Sequence, residues 1–150
     1  MDIVADTSFF IHQANFTTFD KIYTVAKVID EIKDKVSKIR MSGLNIIVRK
    51  PSQEYLKQIT KISDELGENL SETDKEVLAL ALELKKPIAT DDFGIQNVAK
   101  KLGIKIVPIR FEIKKTRKIV YICPNCKKTY KTDGYCPDCG VKLRKIHYYD

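Results

Sequence analysis

The feature that most constrains the fold is a short apolar run near the start of the chain, Ile3-Val4-Ala5, which leads into Asp6-Thr7-Ser8. An unbroken apolar run of this length is typical of a strand buried on both faces, as in a parallel sheet. Thr7 or Ser8 is a suitable N-cap for a helix that follows. Asp6 is then expected at the carboxyl end of a central strand, where open α/β sheets bind their ligands. A purely structural role is equally open, since Asp6 is itself a good helix N-cap.

Strand-like and helix-like segments alternate along the chain as far as residue 109. The predicted strands are 3–5, 22–25, 45–49, 87–90 and 104–109. The predicted helices are 8–14, 28–39, 51–66, 70–84 and 94–102. The longer helices carry apolar residues at spacings of three and four, and glycine follows several of them. This alternation predicts an α/β fold, a parallel sheet flanked by helices on both faces.

The positive net charge of +7 is confined to the end of the chain. Residues 1–109 contain 16 Lys and Arg and 16 Asp and Glu, whereas residues 110–150 contain 11 and 4. A neutral body with a basic tail favours a polyanionic partner, of which nucleic acid is the usual one. The alternative is that the lysines only keep a small module solvated.

The four cysteines form two Cys-x-x-Cys pairs, Cys123 with Cys126 and Cys136 with Cys139. No apolar stretch approaches the length of a membrane span, and no basic start precedes an apolar segment, so we expect no membrane contact and a cytoplasmic location. Thiols stay reduced there, and two such pairs are the ligand set of one tetrahedral zinc ion. Because thiolates fill all four positions, the zinc is expected to be structural. Two disulfides or a redox Cys-x-x-Cys are the alternatives.

Composition divides the chain into a body of residues 1–110, a basic linker of residues 111–118 and a zinc ribbon of residues 119–150. The last unit is too short to be stabilised by a hydrophobic core alone, and the bound zinc is expected to supply the additional stability. Cations beside aromatic rings in the linker and ribbon suit RNA backbone contact and base stacking. The candidate RNA-binding residues are Lys114, Lys115, Arg117, Lys118, Lys127, Lys128, Tyr130, Lys131, Lys142, Arg144 and Lys145. The tyrosines of the ribbon fit equally well in its small core.

Carboxylates follow two of the predicted strands and lie near the start of two predicted helices. Asp6 ends the first strand and Asp91-Asp92 follow the fourth, while Glu31 and Asp74 lie early in their helices. Strand carboxyl ends and helix N-termini meet at one edge of such a fold, so we expect these acids to converge. Converging carboxylates repel one another unless a cation bridges them, and their oxygens suit Mg²⁺ or Mn²⁺. One or two such ions can activate water for phosphodiester cleavage.

Each of these acids also has a structural alternative. Ser71 and Asp74 have the spacing of a capping box, which would leave Asp74 as a helix cap. Asp91 or Asp92 can cap the helix that begins near Gly94. Glu31 can be a solvated helix residue. The set is more informative than any single member.

The order of these acidic segments resembles that of the PIN-domain ribonucleases. The segments are Asp6-Thr7-Ser8, Val28-Ile29-Asp30-Glu31-Ile32, Leu70-Ser71-Glu72-Thr73-Asp74 and Ala89-Thr90-Asp91-Asp92-Phe93. The stretch Thr90 to Ala99, followed by a four-cysteine ribbon, resembles more specifically the Nob endonucleases, in their short archaeal form. Nob enzymes trim the 3′ end of the small-subunit ribosomal RNA precursor.

The resemblance implies roles for particular residues of this chain. Asp6, Glu31, Asp74 and Asp92 match the metal-binding acids of the family. The family pattern Thr-x-Asp selects Asp92, with Asp91 as the second candidate, and Thr7 or Ser8 matches the hydroxyls that orient metal-bound water. One or two Mn²⁺ or Mg²⁺ ions, cleavage of single-stranded RNA to a 3′ hydroxyl and binding to the assembling small ribosomal subunit are also implied.

Two other functions fit parts of the same sequence. A PIN-type toxin would cleave tRNA or mRNA, but toxins of that type normally lack a ribbon. A non-catalytic RNA- or ribosome-binding adaptor would use the ribbon alone and keep the acids as helix caps.

Overall fold

Five short strands pair in parallel in one sheet, with the order β3-β2-β1-β4-β5. The computed structural model describes residues 1–12, 19–32, 38 and 41–149. The strands are β1 (Ile3–Ala5), β2 (Ile22–Thr24), β3 (Ile46–Val48), β4 (Ile88–Thr90) and β5 (Ile106–Pro108). The predicted α/β class and the central position of the first strand are confirmed.

Helices connect these strands and cover the sheet. In the described parts of the chain they include α1 (Thr7–His12), α2 (Ala26–Glu31), α3 (Gln53–Leu66), α4 (Glu72–Leu84) and α5 (Phe93–Lys101). Gly67 ends α3 with the left-handed backbone that the sequence predicts for a helix C-cap (φ 71°). Within the described ranges, no helix combines the length and the apolar character needed to cross a membrane.

Two predictions about helix ends are wrong. The helix that contains Glu31 ends at that residue, because Ile32 adopts an extended backbone (φ −83°, ψ 107°). Glu31 therefore lies at the end of α2 and not early in a helix, and the predicted continuation through Val36 and Ile39 lies outside the described residues. The N-cap before α1 is the carboxylate of Asp6 and not Thr7 or Ser8, since Asp6 Oδ1 accepts a hydrogen bond from the Phe9 N–H (3.1 Å).

The strand order creates a switch point between β1 and β4. The chain runs outward from β1 through β2 to β3, then crosses to the other side of β1 to form β4 and β5. Ala5 pairs with Ala89 across β1 and β4, so the residues that follow these strands emerge side by side. Open parallel sheets bind ligands at such a point, beyond the carboxyl ends of the strands.

The end of the chain forms a separate antiparallel sheet with the order β7-β6-β8. Its strands are β6 (Arg117–Ile122), β7 (Thr129–Tyr130) and β8 (Arg144–Tyr149). Residues 141–143 form no strand of this sheet, and Lys142 makes only an isolated bridge with Tyr135. These residues close the turn around the second cysteine pair instead: the Cys136 N–H donates to the Val141 carbonyl (2.8 Å).

Two buried amides on α5 fix the linker and the start of the ribbon. Gln96 donates to the Phe111 carbonyl (2.8 Å) and accepts from the Ile113 N–H (2.6 Å). Asn97 donates to the Arg117 carbonyl and accepts from the Arg117 N–H, both at 2.8 Å. Both amides are fully buried, so leaving either side chain unpaired would be costly. The ribbon is thus held against the body through hydrogen bonds to its first strand.

The body also contacts the ribbon at Gly67 and Glu68. Glu68 Oε1 accepts from Arg117 Nε (2.8 Å) and from the Asn97 amide (2.7 Å). A Cβ at Gly67 would lie 2.2 Å from the Ile119 carbonyl oxygen, so only glycine permits this approach. The left-handed backbone and the close packing both explain the glycine at this position.

Candidate active site and zinc centre

Asp6 lies just beyond β1, and its carboxylate is almost completely buried (5% exposed). Oδ1 accepts from Ser8 Oγ (2.6 Å) and from the Phe9 N–H, while Oδ2 accepts from the Thr90 hydroxyl. Burial raises the pKa of Asp6 to about 6; these hydrogen bonds oppose the shift, and the nearby charge of Asp92 adds to it. Asp6 therefore both caps α1 and presents an ionisable group at the switch point.

Asp92 follows β4 and caps α5 through a hydrogen bond from the Ile95 N–H to Oδ1 (3.0 Å). Its own N–H donates to the Thr90 hydroxyl (3.0 Å), which in turn donates to Asp6. The Thr90 hydroxyl thus links the backbone of Asp92 to the carboxylate of Asp6. Asp92 is exposed, and its charge raises the pKa of both Asp6 and Asp74.

Asp74 lies in the first turn of α4 and forms a capping box with Ser71. The Asp74 N–H donates to Ser71 Oγ (3.1 Å), and the Ser71 N–H donates to Asp74 Oδ2 (3.2 Å). The pKa of Asp74 lies above its usual value, first because of burial and further because of the charges of Asp92 and Glu31, although the Ser71 hydrogen bonds oppose this. Asp74 therefore caps α4 and at the same time lies close enough to Asp92 and Glu31 for their charges to affect its pKa.

Glu31 is held between two threonine hydroxyls at the end of α2. Oε2 accepts from Thr7 Oγ1 and Oε1 accepts from Thr73 Oγ1, both at 2.8 Å. Thr7 begins α1 and Thr73 lies in the first turn of α4, so Glu31 joins three helices at the same edge. Although Glu31 ends its helix, it still reaches the edge at which Asp74 lies.

Asp91 is engaged elsewhere, unlike its neighbour Asp92. Oδ1 accepts from the N–H groups of Arg110 (2.7 Å) and Phe111 (3.3 Å), and Oδ2 accepts from Arg110 Nε (2.7 Å). Burial favours a higher pKa for Asp91, but the hydrogen bonds and charge of Arg110 outweigh it and hold the pKa below its usual value. The side chain of Asp91 is 7% exposed and joins the ends of β4 and β5.

The structure thus brings four of the predicted acids to one edge, where their charges act on one another. Carboxylate oxygens are the donors that Mg²⁺ and Mn²⁺ prefer. The raised pKa values of Asp6 and Asp74 come first from burial and to a smaller extent from neighbouring negative charge, and a cation would offset both. Within the described ranges, these carboxylates do not form a cluster as tight as that of the cysteines. The hydroxyls of Thr7 and Ser8 donate to Glu31 and Asp6, so both orient carboxylates in this structure.

The raised pKa of Asp6 predicts a pH-dependent stability in protein free of divalent cations. The pKa of Asp6 is about 6 in the folded state and near 3.8 in the unfolded state, so the folded state binds the proton more tightly. Protonated Asp6 therefore contributes fully to stability below about pH 3.8, and this contribution is lost as the pH rises through about 6. The loss is on the order of 3 kcal/mol. Urea unfolding at pH 4 and pH 7 measures it, and Asp6→Asn should flatten the profile. An unchanged profile in the variant would assign the dependence to other groups.

The four cysteine sulfurs lie within 4.8 Å of one another in the ribbon. All four are free thiols, which excludes the two-disulfide alternative in this structure. A tetrahedron with Zn–S distances of about 2.3 Å has sulfur–sulfur edges of about 3.8 Å. The sulfurs of Cys126 and Cys136 are 3.8 Å apart, which fits a tetrahedral zinc ion.

The two cysteine pairs adopt matching turns. The N–H groups of Cys126 and Cys139 donate to the sulfurs of Cys123 and Cys136, both at 3.4 Å. The residue after each pair has a left-handed backbone, at Lys127 (φ 64°) and Gly140 (φ 70°). N–H donation to the sulfurs favours the thiolate form that zinc requires. The ribbon thus repeats one ligand-holding turn twice.

The candidate RNA-binding residues divide into exposed and engaged groups. Arg117 pairs with Glu68 and is only 16% exposed, so it joins the ribbon to the body. Lys128 pairs with Asp138, and Lys142 with Asp133, while Tyr130 packs in the ribbon core with its hydroxyl 3.5 Å from Cys136 Sγ. In the part of the chain that the structure describes, the others are exposed and have no ion-pair partner. They are Lys114, Lys115, Lys118, Lys127, Lys131, Arg144 and Lys145.

Sequence reasoning missed the residues that position the acids. Thr90 and Thr73 donate hydrogen bonds to Asp6 and Glu31, and Arg110 holds Asp91. Thr90 ends a buried strand, and a hydroxyl at a strand end beside two acids is a signal that was available. No comparable signal marks Thr73 or Arg110, because their partners are distant in sequence.

Comparison with known proteins identifies the body. A family model described as the PIN domain of ribonuclease matches residues 3–84. Endoribonuclease Nob1 of Pyrococcus abyssi (strain GE5 / Orsay) is 39% identical over 132 residues, which are 84% of this chain and 80% of that protein. Endoribonuclease Nob1 of Methanocaldococcus jannaschii is 39% identical over 112 residues, 73% of this chain and 57% of that protein.

A third relative carries a different name. Ribonuclease VapC1 of Thermoplasma acidophilum is 36% identical over 132 residues, 84% of this chain and 68% of that protein. The body, residues 1–110, makes up 73% of the 150 residues. The matches to the Pyrococcus and Thermoplasma proteins each cover 84% of the chain, so both extend beyond the body. From the matched family and these identities, the chain belongs to the PIN-domain ribonucleases and resembles the Nob1 endoribonucleases.

Proposed function

We propose that this chain is a metal-dependent endoribonuclease in which Asp6, Glu31, Asp74 and Asp92 hold one or two Mn²⁺ or Mg²⁺ ions. The observation that carries the proposal is the electrostatic contact between these acids. Burial is the main cause of the raised pKa values of Asp6 and Asp74; the charge of Asp92 adds to both, and the charge of Glu31 adds to that of Asp74. Ionised carboxylates that repel one another favour a divalent cation between them.

The protein's own groups supply positioning at this edge. Divalent cations at such sites lower the pKa of bound water and stabilise charge on the leaving oxygen of a phosphodiester. The hydroxyls of Thr7 and Thr73 hold both oxygens of Glu31, and those of Ser8 and Thr90 hold both oxygens of Asp6. Side chains held on both oxygens lose little freedom on binding, which favours catalysis through preorganisation. The scissile phosphate would lie between these acids, and water would attack it to leave a 3′ hydroxyl.

The resemblance to the Nob enzymes favours the 3′ end of the small-subunit rRNA precursor as the substrate and the assembling small subunit as the partner. We also propose that the four cysteines bind a zinc ion with a structural role, because thiolates would fill all four of its coordination positions. The exposed cations of the linker and ribbon would bind the RNA backbone. The cytoplasmic location expected from the sequence stays a prediction.

A cleavage assay tests the proposed reaction. Zinc-loaded protein, dialysed free of other divalent ions, is mixed with labelled RNA that spans the small-subunit 3′ boundary. We expect one cut, at the boundary, only after Mn²⁺ or Mg²⁺ is added back. Equal cleavage without added ions would contradict metal dependence. Tight binding with no cut, on free RNA and on pre-subunits, would favour the adaptor.

A PIN-type toxin ribonuclease is the second candidate, since the family match lies within the body and a relative is named only as a ribonuclease, VapC1. The same assay discriminates the two when tRNA and mRNA are added as competing substrates. Cleavage of the rRNA precursor with intact tRNA and mRNA supports the first candidate. The reverse pattern supports the toxin.

A further inference from the structure

Phe111 presents an exposed aromatic ring on a fixed backbone, just beyond β5. The residue is 56% exposed, although a phenyl ring carries no polar atom that would favour exposure. Its N–H donates to Asp91 Oδ1 (3.3 Å), and its carbonyl accepts from Gln96 Nε2 (2.8 Å). Gln96 is fully buried, so the backbone under this exposed ring is anchored in the interior. The fold therefore fixes the backbone from which the ring projects.

Arg110 lies over the ring. Its guanidinium carbon is 5.4 Å from the centroid of Phe111, within the range of a cation–π contact. The Nε atom is held by Asp91 Oδ2 at 2.7 Å, and the side chain remains 50% exposed. The pair thus offers solvent a flat apolar ring beside a planar cation.

This pair lies next to the proposed catalytic acids. Asp91, which binds the backbone of Arg110 and Phe111, is the residue directly before Asp92. The exposed Lys114 and Lys115 follow in the linker that leads to the ribbon. Along the chain, Phe111 therefore lies between Asp92 and the first cations of the linker.

We infer that Phe111, flanked by Arg110, stacks against one base of the single-stranded RNA bound at the acidic edge. Every base has an apolar face that stacks on an aromatic ring, and arginine adds a cation–π contact. A single ring between charged groups suits one base, whereas a protein partner would require a wider apolar patch. The inference rests on the proposed function, because that function supplies single-stranded RNA as the ligand. The experiments below measure RNA binding and not cleavage, so they test stacking separately from nuclease activity.

A tryptophan probe tests the stacking directly. The chain contains no Trp, so Phe111→Trp places one fluorophore at the site. We expect a single-stranded oligoribonucleotide, in buffer without Mn²⁺ or Mg²⁺, to quench this fluorescence at saturation. Lys105→Trp is the control, because the exposed Lys105 lies before β5, at the opposite edge of the sheet. Equal quenching at both positions, or none at residue 111, would overturn the inference.

Affinity measurements give a second, independent test. Phe111→Leu keeps an apolar side chain without a π face and should weaken binding about 5- to 100-fold, whereas Phe111→Tyr should stay within about twofold. One abasic position in the RNA should weaken binding to the wild-type protein but not further to Phe111→Leu, since both changes remove the same contact. Equal affinities of the wild-type and Leu proteins would contradict stacking. Quenching without metal-dependent cleavage would support stacking and contradict the proposed nuclease function. Cleavage without quenching would support the nuclease function and contradict stacking.

Discussion

Replacing Asp92 with Asn is expected to slow RNA cleavage at least about a thousandfold while the protein stays folded. The substitution removes the charge that acts on both Asp6 and Asp74, and with it one proposed metal ligand. Asparagine is as good an N-cap as aspartate, and its amide oxygen can accept the hydrogen bond that the Ile95 N–H now gives to Asp92. Single-turnover cleavage rates at saturating Mn²⁺ measure the loss, and urea unfolding measures the stability.

The matched control is Asp91→Asn, because the two acids are adjacent but differ in their contacts. Asp91 accepts two hydrogen bonds from Arg110 and one from the Phe111 N–H at a nearly buried site, so its neutralisation should cost about 1–3 kcal/mol of stability. The cleavage rate of the folded variant should stay within about tenfold of the wild type. A folded Asp91→Asn protein that no longer cuts, beside an active Asp92→Asn protein, would reverse the assignment of the two acids.

The same pair of acids illustrates what local sequence could and could not predict. The apolar run of β4 predicts where the strand ends, and hence that both acids lie at the carboxyl edge. The choice between them depends on Arg110, which reaches Asp91 because β5 pairs with β4. That contact is tertiary, so no pattern within a few residues of Asp91 reveals it. Only the family resemblance favours Asp92 at the level of sequence.

Glu31 shows the complementary case, in which the prediction of local structure was wrong although the side chain contacts residues at the start of two other helices. Apolar spacing suggested a helix through Ile39, yet α2 ends at Glu31. Thr7 and Thr73 hold its carboxylate from two other helices, close enough for its charge to raise the pKa of Asp74. Hydrogen bonds between residues 24 and 42 positions apart determine this arrangement, and periodicity carries no information about them.

The docking of the ribbon was equally open at the level of sequence, since a short basic linker is compatible with a free or a fixed module. In this structure the ribbon is fixed to the body, because Gln96 and Asn97 form hydrogen bonds to the linker and to β6. Two amides between Ile95 and Val98, on a helix whose other side faces the core, were a usable sign of a buried polar contact. Their partners, 15 to 20 residues away, could not be inferred from spacing.

Replacing Cys136 with Ser is expected to release the metal and unfold the ribbon while the body keeps its fold. The buried cluster of the ribbon consists of Cys123, Cys136 and Leu143, so little apolar area remains once the ion is lost. Structural zinc contributes about 10–16 kcal/mol in small zinc-binding peptides, far more than so small a core can supply. The body has its own core around β1, and its helices do not depend on the cysteines.

Zinc content, hydrogen exchange and RNA affinity together measure this outcome. We expect one zinc per wild-type chain, a loss of amide protection in β6 to β8 of the variant and unchanged protection in β1 and β4. The matched control is His147→Ala, because His147 is an exposed ribbon residue and all four ligand positions belong to cysteines. If the ribbon cations bind RNA, the Ser variant also binds more weakly and with a shallower salt dependence. A ribbon that stays protected after zinc is lost would show that its contacts with Gln96, Asn97 and Glu68 suffice to hold it.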